Sequence, residues 1–187
     1  MNIMIVGVGG QGTLLASRIL GKVAIDEGYD CKVSEVHGMS QRGGSVETFV
    51  KFGKKVYSPI IGVGDADIIL AFEQLEGYRA LKYLKKDGKL IINTQKIDPM
   101  PVITGEMKYP EGIIEKINKK NIDVTSVDAV DIAWECGNIK VLNVVLIGVL
   151  AKNTDIEKSK WIKAIEETVP KKFKDVNIKA FLRGYEI

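Results

Sequence analysis

Three glycines near the start of the chain have the spacing of loops that bind phosphate. Gly7, Gly9 and Gly12 follow the first apolar run of the chain and precede a segment whose apolar residues recur at helical spacing. A Gly-x-Gly-x-x-Gly turn between a strand and a helix lets backbone N–H groups and the helix N-terminus approach a pyrophosphate. A tight turn that serves only the fold explains these glycines equally well. Neither interpretation requires Gly10 or Gln11.

Glu35 occupies the position at which a dinucleotide-binding motif has an acidic residue. It lies at the end of a second apolar strand, where a carboxylate would hold the ribose of a nucleotide cofactor. The chain beyond it does not continue into another crossover helix, as it would in a dehydrogenase. A stand-alone NAD(P)- or FAD-dependent oxidoreductase that uses Gly7, Gly9, Gly12 and Glu35 is therefore one alternative.

A second glycine-rich segment follows Glu35 and could also bind an anion. Arg42 would supply a bidentate guanidinium and the glycines exposed backbone N–H groups. A mobile surface loop is the other interpretation. His37, the only histidine, begins this segment and is the candidate catalytic residue, although a lone histidine is more often a structural hydrogen-bonding group. The candidate binding residues of this segment are Ser40, Gln41, Arg42, Gly43 and Gly44.

The elements that must position these residues follow from the apolar pattern. A strand, the glycine turn, a helix and a second strand fill the first 36 residues and predict a βαβ unit. Ser45–Phe52 alternates apolar and polar residues, which predicts an antiparallel strand, and Val56–Ser58 would complete a hairpin with it. Val141–Ala151 is apolar nearly all round and predicts a central helix that is covered on most sides. We expect an α/β fold: one Rossmann-like domain over residues 1–187, with a mainly parallel mixed sheet flanked by helices and an inserted antiparallel strand or hairpin.

Three polar residues outside the glycine segments stand at positions that indicate structural roles. Glu73 and Glu76 lie where a strand ends and a helix begins, so we expect them to cap that helix or interact with its dipole. Asn143 lies within the apolar central helix, and a buried amide needs partners. We expect Asn143 to bond a neighbouring backbone group.

Composition excludes several classes of site. The 187 residues include 27 Lys+Arg, 24 Asp+Glu, two cysteines and one histidine. Cys31 and Cys136 cannot form an Fe–S or all-cysteine zinc site, which needs about four ligands, and we expect no metal site. The balanced charge gives no reason to expect nucleic acid as a partner, and no apolar run is long enough to span a membrane. Without a signal-type segment, we expect the protein in the reducing cytoplasm.

The two glycine-rich segments together resemble a known family. They are similar to the gamma-type domain of the 2-oxoacid:ferredoxin oxidoreductases, and within it to the small (beta) subunits of indolepyruvate ferredoxin oxidoreductases. The resemblance runs essentially end to end. The Gly-Gly-Gln-Gly turn is common to the superfamily, whereas the longer loop is the more specific signal. The residues that carry the resemblance are Val6-Gly7-Val8-Gly9-Gly10-Gln11-Gly12, Glu35-Val36-His37-Gly38-Met39-Ser40-Gln41-Arg42-Gly43-Gly44-Ser45, and Asn143-x-x-Leu146-x-Gly148.

The resemblance implies a heteromeric enzyme of aromatic amino acid degradation. Such enzymes oxidatively decarboxylate indolepyruvate or other aryl-2-oxoacids to acyl-CoA, with coenzyme A as co-substrate and ferredoxin as electron acceptor. Thiamine diphosphate with Mg²⁺ carries the carbanion chemistry, and Fe–S clusters carry the electrons. This chain has two cysteines and no Gly-Asp-Gly…Asn-Asn thiamine signature. We therefore expect these cofactors on a large partner subunit.

For this chain the resemblance implies a small, cofactor-poor subunit that is inactive alone. We expect the glycine segments to line a phosphate-rich pocket for coenzyme A, or to border the thiamine site across the subunit interface. Isolated, the chain is expected to self-associate through the surface meant for its partner. A non-catalytic nucleotide-binding interaction module is a second alternative. The candidate binding residues are Gly7, Gly9, Gly10, Gln11, Gly12, Ser40, Gln41, Arg42, Gly43 and Gly44.

Overall fold

A computed structural model describes residues 1–38 and 44–187. Four of the predicted binding residues lie outside this described part of the chain, and their predicted role stays a prediction. They are Ser40, Gln41, Arg42 and Gly43.

The described residues form a six-stranded mixed sheet with the order β2-β3-β1-β4-β5-β6. Strands β1, β4, β5 and β6 are parallel neighbours, whereas β3 pairs antiparallel with both β1 and β2. This confirms the predicted α/β class, its mainly parallel sheet and the inserted antiparallel strand. The strands are β1 Asn2–Val8, β2 Asp30–His37, β3 Ser45–Gly53, β4 Ala66–Ala71, β5 Leu84–Asn93 and β6 Asp123–Val127.

Helices cover both faces of the sheet. The larger apolar core lies between the sheet and helices α1, α5, α6, α7 and α8, and a second core lies under α2 and α4. The helices are α1 Thr13–Asp26, α2 Gln74–Ala80, α3 Met100–Ile103, α4 Ile113–Asn118, α5 Ala129–Cys136, α6 Leu142–Lys152, α7 Lys158–Thr168 and α8 Lys174–Tyr185, with 3₁₀ turns at Leu81–Tyr83, Ile139–Val141 and Lys171–Phe173. None of the helices in this part of the chain has the length and apolar character needed to cross a membrane.

The continuous apolar run of β1 follows from its place in the sheet. Ile3 and Ile5 pack into the larger core, whereas Met4 and Val6 face the second core. Because helices cover both sides, successive residues on both faces must be apolar. Every residue of α6 from Leu142 to Ala151 is buried as well, because α6 is enclosed by the sheet and by helices α1, α5 and α8; this agrees with the prediction for the central helix.

Helices α6 and α8 approach each other through two glycines. A β-carbon on Gly148 would overlap the backbone carbonyl of Phe181, and one on Gly184 would overlap the carbonyl of Val145. The two backbones are therefore in direct contact, which only glycine allows at these positions.

The predicted hairpin through Val56–Ser58 is wrong. Residues 54–65 contain no strand, because both edges of β3 are already paired, with β1 on one side and β2 on the other. The Val56 N–H instead donates to the Asp30 carboxylate at 2.9 Å. The short helix α3 was not expected from the sequence pattern.

Candidate functional site

The glycine turn lies at the edge where the parallel strands end. In open α/β sheets, ligands bind in the crevice at the carboxyl ends of the strands. Strand β1 ends at Val8, and the turn to α1 passes beside the ends of β4 and β5. Buried Asn93 connects these ends, since its Nδ2 donates to the Phe72 carbonyl at 2.9 Å and its Oδ1 accepts from the Ala129 N–H at 3.2 Å.

The side chain of Gln11 holds the turn in place. Its Oε1 accepts from the Val8 N–H at 2.8 Å, and its Nε2 donates to the Phe72 carbonyl and to Gln95 Oε1, both at 2.9 Å. A β-carbon on Gly7 would lie 2.8 Å from Gln11 Oε1. The amide therefore fixes the turn against the neighbouring strand ends, which accounts for a residue that the phosphate motif does not require.

Gly10 and Gly12 have the backbone conformation that favours glycine. Their φ angles are 103° and 84°, in the left-handed region. A β-carbon on Gly12 would lie 2.6 Å from Nδ2 of Asn143, which donates to the Gly12 carbonyl at 3.3 Å. This confirms the backbone-bonding role expected for Asn143.

Gly12 is also the N-cap residue of α1, and no described side chain caps this helix. The first N–H groups of an α-helix have no partner within the helix, and they carry the positive end of its dipole. The start of α1 is thus an uncapped group of donors beside the glycine turn.

One cleft opens on the α6 side of the turn and is called the Lys140 cleft below. It has a volume of about 540 Å³, and Lys140 is the charged residue of its lining. Gln95 and Ile97, which follow β5, form one part of its wall. The lining residues are Gly9, Gly10, Gln11, Gly12, Leu15, Gln95, Ile97, Ile139, Lys140, Leu142 and Asn143.

A second cleft, called the Glu35 cleft, opens on the other side of the same turn and has a volume of about 320 Å³. The carboxylate of Glu35 accepts from Thr48 Oγ1 at 2.9 Å and Thr13 Oγ1 at 3.5 Å, and its other oxygen lies 2.6 Å from His37 Nε2. The dinucleotide fold requires the acidic residue to lie on the strand next to β1. In this sheet β3 separates β2 from β1, so Glu35 does not meet that requirement.

The second glycine-rich segment joins the first through Gly44, and its own two described ends bond each other. The Gly9 N–H donates to the Gly44 carbonyl, and the Gly38 N–H donates to the Ser45 carbonyl, both at 2.9 Å. Ser45 Oγ donates to the carboxylate of Glu76 at 2.6 Å, and Arg79 pairs with the other oxygen of that carboxylate at the same distance. The structure therefore brings together the two segments that the sequence predicts to bind ligand.

A buried carboxylate holds Ile97, one of the lining residues of the Lys140 cleft. Glu73 is 1% exposed and caps α2 by accepting from the Glu76 N–H at 2.9 Å, which confirms the predicted cap. Its other oxygen accepts from the Ile97 N–H at 3.3 Å and from the Tyr109 hydroxyl at 2.5 Å. Burial, together with the hydrogen bond to Glu73, raises the pKa of Tyr109.

Several residues of this site could not be found from the sequence. Gln95, Ile97 and Lys140 reach the cleft beside the glycine turn from distant parts of the chain, Tyr109 bonds the carboxylate of Glu73 behind it, and none of the four belongs to a recognisable local motif. Sheet topology and long-range hydrogen bonds bring them there.

The described residues also bear on metal binding. Cys31 is half-buried, Cys136 is buried, and both are free thiols. Among residues 1–38 and 44–187, no group of three or more His, Cys, Asp and Glu side chains is placed to hold a metal ion.

Comparison with known proteins gives one consistent result. The family model for pyruvate ferredoxin/flavodoxin oxidoreductase matches residues 2–187. Indolepyruvate oxidoreductase subunit IorB of Thermococcus kodakarensis is 43% identical over 188 residues, and that of Pyrococcus horikoshii is 44% identical over 190; each match covers 98% of this chain and 93% of the relative. The crystal structure of a keto/oxoacid ferredoxin oxidoreductase gamma subunit from Geobacter sulfurreducens matches with a TM-score of 0.74 and 27% identity, covering 99% of this chain and 96% of that one. This chain therefore belongs to the pyruvate ferredoxin/flavodoxin oxidoreductase family.

Proposed function

We propose that this chain is the small subunit of a ferredoxin-dependent oxidoreductase that converts indolepyruvate or a related aryl-2-oxoacid to its acyl-CoA. The observation that carries the proposal is identity of 43% and 44%, over nearly the whole chain, to two indolepyruvate oxidoreductase subunits. In the reaction the 2-oxoacid loses CO₂, its acyl group is transferred to the thiol of coenzyme A, and the electrons pass to ferredoxin.

The chemistry of this reaction requires a partner that holds the cofactors. Loss of CO₂ from a 2-oxoacid needs an electron sink such as thiamine diphosphate, and electron transfer needs Fe–S clusters. Clusters are held by about four thiolates, whereas this chain has two cysteines. We assign thiamine diphosphate, Mg²⁺ and the clusters to a large partner subunit, and we place the complex in the cytoplasm.

The Lys140 cleft is the proposed site for the anionic part of coenzyme A. Its volume of about 540 Å³ is in the range of small-molecule sites. Backbone N–H groups of Gly10 and Gly12, the uncapped start of α1 and the ammonium group of Lys140 all favour a phosphate there. The Glu35 cleft carries a carboxylate, which repels phosphate. Charge therefore favours the Lys140 side of the turn.

The proposed function is tested by reconstitution. The chain is expressed alone, with a large subunit of the same family, and as a mixture of the two separated proteins. Coenzyme A-dependent decarboxylation of indolepyruvate is then measured with ferredoxin as acceptor. We expect activity in the mixture and none in either protein alone. Dehydrogenase turnover by the isolated chain with a nicotinamide or flavin cofactor would contradict the proposal.

Lys140→Ala is expected to weaken coenzyme A binding in the reconstituted enzyme. Removal of one ammonium–phosphate contact should raise the KM for coenzyme A about tenfold and leave kcat with saturating coenzyme A nearly unchanged. Lys171→Ala removes the same charge from an exposed position far from the cleft and serves as the control. An unchanged KM in Lys140→Ala would remove this cleft from the proposed binding site.

A further inference from the structure

A third cleft lies at the opposite end of the sheet from the glycine turn. It has a volume of about 570 Å³ and is formed where β5 and β6 begin, so the full length of the parallel strands separates it from the Lys140 cleft. We call it the lysine cleft. Its lining residues are Leu81, Lys82, Leu84, Lys85, Lys86, Lys120, Asn121 and Ile122.

The lysine cleft has four ammonium groups and no carboxylate in its lining. Lys85 pairs with Asp67 at 2.5 Å, and the ammonium group of Lys82 lies 5.1 Å from the centre of the Tyr83 ring. Lys86 and Lys120 have no carboxylate within ion-pair distance in the described parts of the chain. The cleft therefore presents positive charge that the described residues do not neutralise.

Helix ends account for only part of this charge. Lys82 lies in a 3₁₀ turn and Lys120 follows the end of α4, and basic residues are favoured near helix C-termini whatever else they do. Lys85 and Lys86 belong to β5, so an interaction with the dipole of a helix does not explain them. Of these two, only Lys86 lacks a carboxylate partner within residues 1–38 and 44–187.

The volume and lining of the cleft favour a small ligand over a protein surface. The apolar side chains of Leu81, Leu84 and Ile122 accompany the lysines. A volume of about 570 Å³ is typical of small-molecule sites. Lysine is depleted in protein–protein interfaces, where its flexible and strongly hydrated ammonium group is costly to bury, but it is a common ligand of phosphate.

We propose that the lysine cleft binds a small organic polyanion with at least two phosphate groups, of the nucleotide class. Lys86 and Lys120, which have no carboxylate partner among the described residues, can contact separate phosphates, and the half-buried Leu81 and Ile122 offer an apolar surface for the face of a planar base. This site is independent of the proposed coenzyme A site, because it lies at the other end of the strands and shares no residue with that cleft.

Calorimetric titration of the full-length chain tests the proposal. The probes are inorganic tripolyphosphate, ATP and adenosine, at an ionic strength of about 50 mM, where screening is weak. We expect ATP to bind more tightly than tripolyphosphate and adenosine not to bind. The double variant Lys86→Ala/Lys120→Ala should weaken ATP binding tenfold or more, since each lost charge contact contributes roughly a factor of a few to ten. Circular dichroism of the double variant should match that of the unaltered chain.

Lys171→Ala/Lys172→Ala is the matched control, because it removes two exposed lysines at another place. This control should bind ATP as the unaltered chain does. The proposal is overturned if neither anion binds, or if the control and the test variant weaken binding equally. The proposal is also overturned if Lys140→Ala weakens ATP binding and the Lys86→Ala/Lys120→Ala variant does not. Equal affinity for tripolyphosphate and ATP would exclude a ligand of the nucleotide class. The titration needs no partner subunit, so its result is independent of the proposed function.

Discussion

Gly148→Ala should lower the free energy of unfolding by about 3 kcal/mol, at the upper end of what overpacking costs. The added methyl group would overlap the carbonyl of Phe181 and lie 2.8 Å from the backbone nitrogen of Tyr185. Both obstacles belong to the backbone of α8, so no change of rotamer can relieve the clash. Helix α8 would have to move away from α6, and buried side chains on both helices would lose contacts. Urea denaturation of the isolated chain, followed by circular dichroism, measures the effect.

Gly53→Ala provides the control for this prediction. Gly53 ends β3, a β-carbon there would meet nothing within 4 Å, and its φ is not in the left-handed region. The free energy of unfolding of the Gly53→Ala variant should differ from that of the unaltered chain by less than about 0.5 kcal/mol. If both variants unfold at the same urea concentration, α6 and α8 are not packed backbone to backbone.

Glu73→Ala is expected to lower the free energy of unfolding by about 3 kcal/mol through a different mechanism. Loss of the α2 cap costs about 1 kcal/mol. The Ile97 N–H and the Tyr109 hydroxyl would then lose their acceptor as well, and because both donors are only half-buried, each loss should cost about 1 kcal/mol, the lower end of the cost of an unpaired donor. Because Ile97 lines the Lys140 cleft, the same variant should raise the KM for coenzyme A in the reconstituted enzyme.

Two further variants separate the contributions at Glu73. Tyr109→Phe removes one hydrogen bond and keeps the α2 cap, so it should cost about 1 kcal/mol. Glu73→Gln keeps one acceptor oxygen and should be intermediate between Tyr109→Phe and Glu73→Ala. Equal stability of Tyr109→Phe and Glu73→Ala in urea would show that neither the cap nor the bond to Ile97 contributes.

Much of the fold could be predicted because its strands have local signatures. The continuous apolar runs of β1 and β4 reflect burial on both faces of the strand. The alternating pattern of β3 reflects stronger burial on one face. The neighbours of β3 could not be predicted, because pairing depends on residues far apart in sequence. The hairpin expected at Val56–Ser58 failed for this reason, since β1 and β2 already occupied both edges of β3.

The part of the candidate site that could be predicted is the part formed by consecutive residues. The turn Gly9–Gly12 combines a strand end, left-handed glycines and a helix start, each of which leaves a mark in the sequence. Lys140 and Gln95 leave no such mark, because they meet the turn only through the packing of α6 and the order of the parallel strands. The structural role of Gln11 could not be predicted either, because the carbonyl that it bonds belongs to Phe72, 61 positions away in the sequence.

The position of β3 between β1 and β2 has a consequence for how the chain can fold. Residues 1–38 contain β1, α1 and β2, but these two strands do not pair with each other; each pairs instead with the strand at residues 45–53, which lies between them. Two strands that are connected only by a helix and share no hydrogen bonds do not form a stable sheet. The N-terminal βαβ segment is therefore not an autonomous folding unit: an isolated fragment of residues 1–38 should be unstructured, and adding residues up to 53 should supply the missing ladder.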